Sequence, residues 1–221
     1  MNLILPSIFA ADLMNLKSEC DVLYEEGFQV LHVDMMDGNF VPHIAFGPEQ
    51  IKNIKKQVNM KLDVHMMVSA PEQHIASVLD TGAEMISVHY ESTPHIRFVI
   101  DQIKQHGRKA GIVINPGTDT FLLKPFLNII DYVLVMSINP GRPNQVFMEE
   151  TIDRIRELKA MIGQRDIQIE VDGGVDESIA SQCIEAGASL VVIGSYLFSN
   201  NKAHVKNLKS LEHGERKDEE K

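Results

Sequence analysis

Eight short β-rich runs, each followed by a helical or turn-rich run, constrain this chain more than any other feature of its sequence. The spacing predicts strands at 3–7, 30–35, 61–66, 85–89, 109–114, 132–136, 168–171 and 190–193. Helices are expected at 12–26, 48–57, 71–81, 95–106, 121–127, 148–162 and 178–186. Asp12 is placed to cap the first of these, Pro71 stands at a first helical position, and Gly27, Gly82, Gly107 and Gly187 stop helices ahead of the next strand. Eight units in 221 residues is about 27 residues each, near the minimum for a right-handed parallel crossover. The expectation is an α/β fold, a single (β/α)8 TIM barrel over residues 1–200, which would carry the chemistry, with a polar helix or tail, partly disordered and solvated, at 201–221. An open doubly wound sheet would normally show a Gly-x-Gly-x-x-Gly turn after its first strand, whereas this one runs into Pro6-Ser7-Ile8-Phe9-Ala10. Short repeats fit a modular build: Ile114-Asn115-Pro116-Gly117 returns as Ile138-Asn139-Pro140-Gly141, and Gly82-Ala83 as Gly187-Ala188.

A hydrophobic share of 44% supplies material for one large core. The formal charge of −10 argues against nucleic acid or an anionic membrane as partner, since either polyanion would be repelled. A small anionic substrate remains compatible, because a pocket can be locally positive or rich in backbone N–H groups. With no apolar run of about 18 residues and no basic leader before Met1-Asn2-Leu3-Ile4-Leu5-Pro6, a soluble, cytoplasmic protein is expected. Cys20 and Cys183, far apart and each in a helical segment, suit reduced thiols. A barrel with exposed helix faces is also expected to form a homo-oligomer.

Catalytic groups of such barrels gather at the carboxyl ends of the strands. Val30-Leu31-His32-Val33-Asp34-Met35-Met36-Asp37-Gly38 sends His32 and Asp34 to the same side, because strand side chains alternate. A second strand ends Asp63-Val64-His65-Met66-Met67 and a third Glu170-Val171-Asp172-Gly173-Gly174. Two imidazoles and two carboxylates, His32, Asp34, His65 and Asp172, could converge on one divalent ion, and mixed N/O ligation suits Zn, Fe(II), Mn or Co. Each residue taken singly also fits a packed core or a turn cap. His89 ends another strand and is a weaker candidate.

The loops after strands seven and eight of such barrels commonly bind phosphate through backbone N–H groups. Here they read Asp172-Gly173-Gly174-Val175 and Ile193-Gly194-Ser195-Tyr196, in which the glycines either let the main chain approach an oxyanion or only make tight turns.

Over residues 1–200 the chain resembles the ribulose-phosphate 3-epimerases. The resemblance is carried by Pro6-Ser7-Ile8, His32-Val33-Asp34-Met35-Met36-Asp37-Gly38, Asp63-Val64-His65-Met66-Met67-Val68, Val135-Met136-Ser137-Ile138-Asn139-Pro140-Gly141, Val171-Asp172-Gly173-Gly174 and Ile193-Gly194-Ser195. It implies a metal-dependent enzyme that converts D-ribulose 5-phosphate to D-xylulose 5-phosphate by inverting the carbon next to the ketone through an enediolate. By the same resemblance His32, Asp34, His65 and Asp172 would hold one divalent ion, Asp34 and Asp172 would exchange protons with the sugar, Ser7 would orient it, and Met36, Met67 and Met136 would line the site. His65 would also face substrate.

One loop departs from that pattern. Where the family usually reads Gly-Phe-Gly-Gly-Gln, this chain reads Gly141-Arg142-Pro143-Asn144-Gln145. Pro143 has no N–H to offer and fixes its own backbone angle, while Arg142 could grip phosphate through two donors. Gly141, Arg142 and Asn144 are therefore expected to contact the substrate, and the departure bears on which sugar is used. Alternatives are the same epimerisation of another ketose phosphate such as D-allulose 6-phosphate, and a non-catalytic sugar-phosphate binder. Related barrel lyases place Asp-x-Lys at the end of strand three, where this chain has Asp63-Val64-His65.

Overall fold

The computed structural model describes residues 3–142, 145–199 and 202–212. Pro143, Asn144 and the tail 213–221 lie outside them. Strands β1 (Leu3–Pro6), β2 (Val30–Asp37), β3 (Ile44–Ala45), β4 (Lys61–Met67), β5 (Met85–His89), β6 (Lys109–Ile114), β7 (Tyr132–Met136), β8 (Gln168–Asp172) and β9 (Leu190–Ile193) form one sheet. Eight run parallel, and a parallel bridge between Ser7 and His32 brings β1 back to β2, closing the barrel. β3 is an addition that the sequence reading lacks, two residues pairing antiparallel with the end of β2.

Among the described residues, seven α-helices cover the barrel: α1 (Leu16–Glu25), α2 (Pro48–Gln57), α3 (Ile75–Leu79), α4 (Ile96–Gln105), α5 (Thr151–Ile162), α6 (Glu177–Ala186) and α7 (Lys202–Glu212). α1 starts later than expected. Asp12 spends its carboxylate on the turn before the helix, accepting from Met14 N at 2.9 Å and Asn15 Nδ2 at 2.7 Å. The helix expected at 71–81 is split into a 3₁₀ turn at Pro71–Gln73 and the short α3, and the one at 121–127 is a 3₁₀ helix over Thr120–Phe126.

Of the polar helix or tail expected at 201–221, residues 202–212 form α7, which is packed on the barrel and not merely solvated. Leu208 of α7 is fully buried, Glu212 accepts from Ile4 N at 2.9 Å, and Lys209 bonds the Gly27 carbonyl at 2.9 Å beside the Phe28 ring. α7 thus packs beside β1 and α6 and is fastened to the chain just ahead of β2. Cys20 and Cys183 are buried and unbridged, and burial pushes their thiols up to about 11 and about 12, with Asp21 and Glu19 adding to the shift at Cys20.

Strand alternation divides the core. Outward residues such as Leu31, Val33, Leu62, Val64 and Val133 pack under the helices, and inward residues fill the barrel in layers. The lowest layer is apolar, with Leu5, Val30, Met85 and Leu190 around the ring of Tyr132. Gly111 makes room for that ring: a Cβ there would lie 2.5 to 2.8 Å from three of its carbons. The next inward positions are polar, and they lead to the site.

Candidate active site

Moving up each strand by two residues converts the apolar floor into a cluster of ionisable groups. On β2, Val30 is followed inward by His32 and then Asp34; on β4, Asp63 by His65; on β8, Glu170 by Asp172. Register sets Asp34 beside His65 and His32 beside Asp63, and the Ser7–His32 bridge brings β1 alongside.

His32, Asp34, His65 and Asp172 each offer a ligand atom within 4.8 Å of the others. Nε2 of His32 and Nδ1 of His65 stand 3.4 and 3.3 Å from Oδ1 of Asp34, and 4.0 and 3.8 Å from Oδ2 of Asp172. Both nitrogens are buried and, among the described residues, neither makes a hydrogen bond. Leaving buried polar atoms unpaired costs about 1–3 kcal/mol each, and a cation between the two imidazoles and the two carboxylates would satisfy all four groups. The donor set therefore fits a divalent ion of the kind bound by mixed nitrogen and oxygen ligands.

The remaining atoms are held from behind. Nδ1 of His32 lies 2.7 Å from Oδ2 of Asp63, whose Oδ1 accepts the Tyr132 hydroxyl at 2.8 Å. Ser7 donates its hydroxyl to Oδ2 of Asp34 at 2.7 Å. Glu170, fully buried 3.3 Å from His32 Nδ1, has no hydrogen-bond partner on either oxygen among the described residues. Asp63, Glu170 and Tyr132 were not singled out as site residues from sequence. For Asp63 and Glu170 a signal existed, because each stands two residues before a candidate ligand and so shares its face.

Burial and charge split the two upper carboxylates. Burial works against ionising Asp34, yet His32 and His65 outweigh it and hold its pKa well below the usual range. Asp172 is pushed up to about 7, by burial and then by the charge of Asp34. Burial by itself would lower the pKa of His32, but Asp34, Asp63 and Glu170 together raise it. Burial also lowers that of His65 and takes His89 down to about 4. One carboxylate set to accept a proton beside another set to carry one is an acid/base arrangement.

Above the cluster opens a cavity. Ser7, Asp34 and Asp172 lie on its floor, Met36, Met67 and Met136 on its walls, and Gly141, Arg142, Gly173, Gly174, Gly194 and Ser195 around its rim. His32 and His65 are fully buried beneath it. The structure thus brings together every residue singled out for the site apart from Asn144, which lies outside the described residues. His89 falls behind His65, with their Nε2 atoms 2.8 Å apart, and does not face the cavity. Gly173 and Gly174 have positive φ of 119° and 63°, and a Cβ on Gly174 would meet backbone N of Phe147 at 2.9 Å, so the turn itself requires them. Gln145, missed as a site residue, braces the loop after β7 by donating to the carbonyls of Asn139 at 2.6 Å and Arg142 at 2.8 Å.

A closed barrel with such a cluster at the carboxyl ends of its strands has the build of an enzyme. Residues 3–198 match the model of the ribulose-phosphate 3 epimerase family. The chain is 40% identical over 215 residues to ribulose-phosphate 3-epimerase of Aquifex aeolicus (strain VF5), covering 96% of this chain and 97% of that one. It is 39% identical over 199 residues to the Bacillus subtilis (strain 168) protein of the same name, covering 89% and 92%. The solved structure of thiamine phosphate pyrophosphorylase from Pyrococcus furiosus matches 96% of each chain with a TM-score of 0.65 at 11% identity, a likeness of fold alone. The chain belongs to the ribulose-phosphate 3-epimerase family, and so to the isomerases that epimerise carbohydrates. Among the described residues, no helix is long and apolar enough to cross a membrane.

Proposed function

We propose that this chain interconverts D-ribulose 5-phosphate and D-xylulose 5-phosphate, with Asp34 and Asp172 exchanging protons at C3 and a divalent ion held by His32, Asp34, His65 and Asp172. The observation that carries this reading is the meeting of two carboxylates of opposite proton tendency, on strands separated by β1 and β9, at two imidazole nitrogens that make no hydrogen bond among the described residues.

The hydrogen on C3 is acidic because a ketone adjoins it, and its removal leaves a flat enediolate. The ion would supply positive charge beside the oxygens on which negative charge develops. Asp34, held ionised by its imidazole neighbours, takes the proton from one face. Asp172, which carries a proton more readily, returns one to the other. Ser7 fixes the orientation of Asp34 through its hydroxyl, and the three methionines keep water away from the flat intermediate. At the rim, backbone N–H groups of the Gly173-Gly174 and Gly194-Ser195 turns, together with Arg142, receive the phosphate.

The test is exchange of the C3 hydrogen followed by NMR in heavy water, with D-ribulose 5-phosphate and D-allulose 6-phosphate offered separately to manganese-loaded protein. Exchange with inversion is expected for the pentose, and loss of it in Asp34→Asn and Asp172→Asn. Faster turnover of the hexose would transfer the reading to the longer sugar, and a fully active Asp34→Asn enzyme would sink the acid/base assignment.

A further inference from the structure

The groups packed behind His65 play no part in the reaction above. His65 Nε2 points away from the carboxylates toward Nε2 of His89 at 2.8 Å, the two rings stacked at 25° with centroids 5.0 Å apart. Between two imidazole nitrogens at that distance, one must carry the hydrogen and the other must not. The second nitrogen of His89, Nδ1, lies 3.3 Å from Oε2 of Glu91, and an ionised carboxylate can only accept. A neutral His89 therefore keeps its hydrogen on Nδ1 and leaves Nε2 bare. The hydrogen between the rings then belongs to Nε2 of His65, so Nδ1 of His65 is the lone pair. That is the atom 3.3 Å from Asp34 and 3.8 Å from Asp172.

Glu91 is fixed in its turn. Its Oε1 accepts from Asn115 N at 2.8 Å and from the Thr118 hydroxyl, and Arg154 donates to the carbonyls of Asn115 and Thr118, both at 2.9 Å. Phe40 lies against the His89 ring with centroids 4.7 Å apart. The chain of contacts runs from the turn after β6 through Glu91 and His89 to His65. It is separate from the Asp63–Tyr132 pair that holds His32.

We propose that Glu91 and His89 form a positioning relay, anchored on the 115–118 turn, that holds His65 with its hydrogen on Nε2 and its Nδ1 lone pair directed into the cluster. The consequence for function rests on the reading of His65 as a metal ligand; the assignment of the tautomer does not. Ligating histidines are commonly oriented by a partner on their other nitrogen, and loss of that partner typically costs 10- to 100-fold in metal affinity.

Long-range proton–nitrogen NMR of the imidazoles, on metal-free protein at pH 8, reads the relay directly. His65 is expected with hydrogen on Nε2 and His89 with hydrogen on Nδ1. In His89→Leu, His65 should lose this single tautomer, and cobalt(II) affinity read by absorption should fall by about 10- to 100-fold. His89→Gln should restore both toward wild type, because its amide can accept from His65 and donate to Glu91. Wild-type His65 with hydrogen on Nδ1 overturns the relay without any variant having to fold, as does a His89→Leu protein with tautomer and cobalt affinity unchanged. Wild-type protein that shows the Nε2–H tautomer yet binds no cobalt(II) supports the relay and overturns only the metal reading.

Discussion

Gly141, in the turn after β7, packs so tightly on Val41, in the turn after β2, that a Cβ at position 141 would collide with the Val41 side chain. Its φ is 69°, and its carbonyl lies 2.6 Å from Nδ1 of His43. Two loops from opposite parts of the sequence are thereby fastened together beside the cavity that Gly141 lines. Gly141→Ala should displace the loop, with backbone strain adding to the collision. The expected result is a rise in KM for D-ribulose 5-phosphate of about 10- to 100-fold, since displacement by about an ångström can cost that much. Steady-state kinetics check it, and an unchanged KM would mean that this turn does not help to seat the substrate.

Arg142 sits next along the same loop and faces the cavity. It is exposed, so its contact with a phosphate would be a charge-assisted hydrogen bond made at the rim. Such bonds contribute about 1.5–3 kcal/mol. Arg142→Ala is therefore expected to weaken competitive inhibition by inorganic phosphate and to raise KM by about tenfold or more, while the turnover number changes much less. Equal phosphate inhibition in both proteins would leave Arg142 facing solvent.

Asp37 ends β2 and organises the turn that follows. Its Oδ1 accepts from Asn39 N at 2.8 Å and Phe40 N at 2.9 Å, and its Oδ2 accepts from Ser69 N at 2.8 Å. Partial burial is the largest single influence and raises its pKa, but the backbone donors together outweigh it and leave the carboxyl below its ordinary value. A depressed folded pKa stabilises the fold above the unfolded value and ceases to do so as pH falls through the folded one. Asp37→Ala should cost about 2 kcal/mol at pH 7. Against Asp37→Asn, the wild-type advantage in urea denaturation should be full above about pH 5 and shrink below the ordinary aspartate value near 4. An advantage that stays constant down to pH 3 would remove the charge from the account.

The parts of this fold that follow from local rules were legible in the sequence. Alternation placed His32 with Asp34, and Gly27, Gly82, Gly107 and Gly187 marked helix ends that the structure keeps, each with positive φ. The same alternation pointed at Asp63 and Glu170, but a carboxylate whose partners come from other strands gives no local sign of them. Tyr132 and Gly111 are adjacent only through β6–β7 pairing, so the polar layer beneath His32 required the sheet register. Asp12 misled because a capping residue serves a turn as well as a helix. The packing of the last helix is hard to see in the sequence because its polar residues outnumber Val205, Leu208 and Leu211, whose spacing nonetheless sets one apolar face toward the barrel. Arg142 marked an unusual loop in sequence, yet only Val41 and His43 show what holds that loop in place.

Among the described residues Nε2 of His32 and Nδ1 of His65 have no hydrogen bonds at the centre of the cluster, and a bound ion would remove that penalty in the folded state alone. Binding to the folded form at 100 times the dissociation constant adds about 2.7 kcal/mol. For a chain of this size that corresponds to about 5–10 °C in melting temperature. Chelator-treated protein is therefore expected to melt lower, to lose C3 exchange, and to regain both on addition of excess manganese(II). Asp172→Asn keeps the shape of the side chain while removing one negative ligand, so its gain in melting temperature on adding manganese should be much smaller. A gain equal to that of wild type would place the ion somewhere other than this cluster. Retained C3 exchange in protein shown by elemental analysis to be free of metal would mean that the two aspartates work without it.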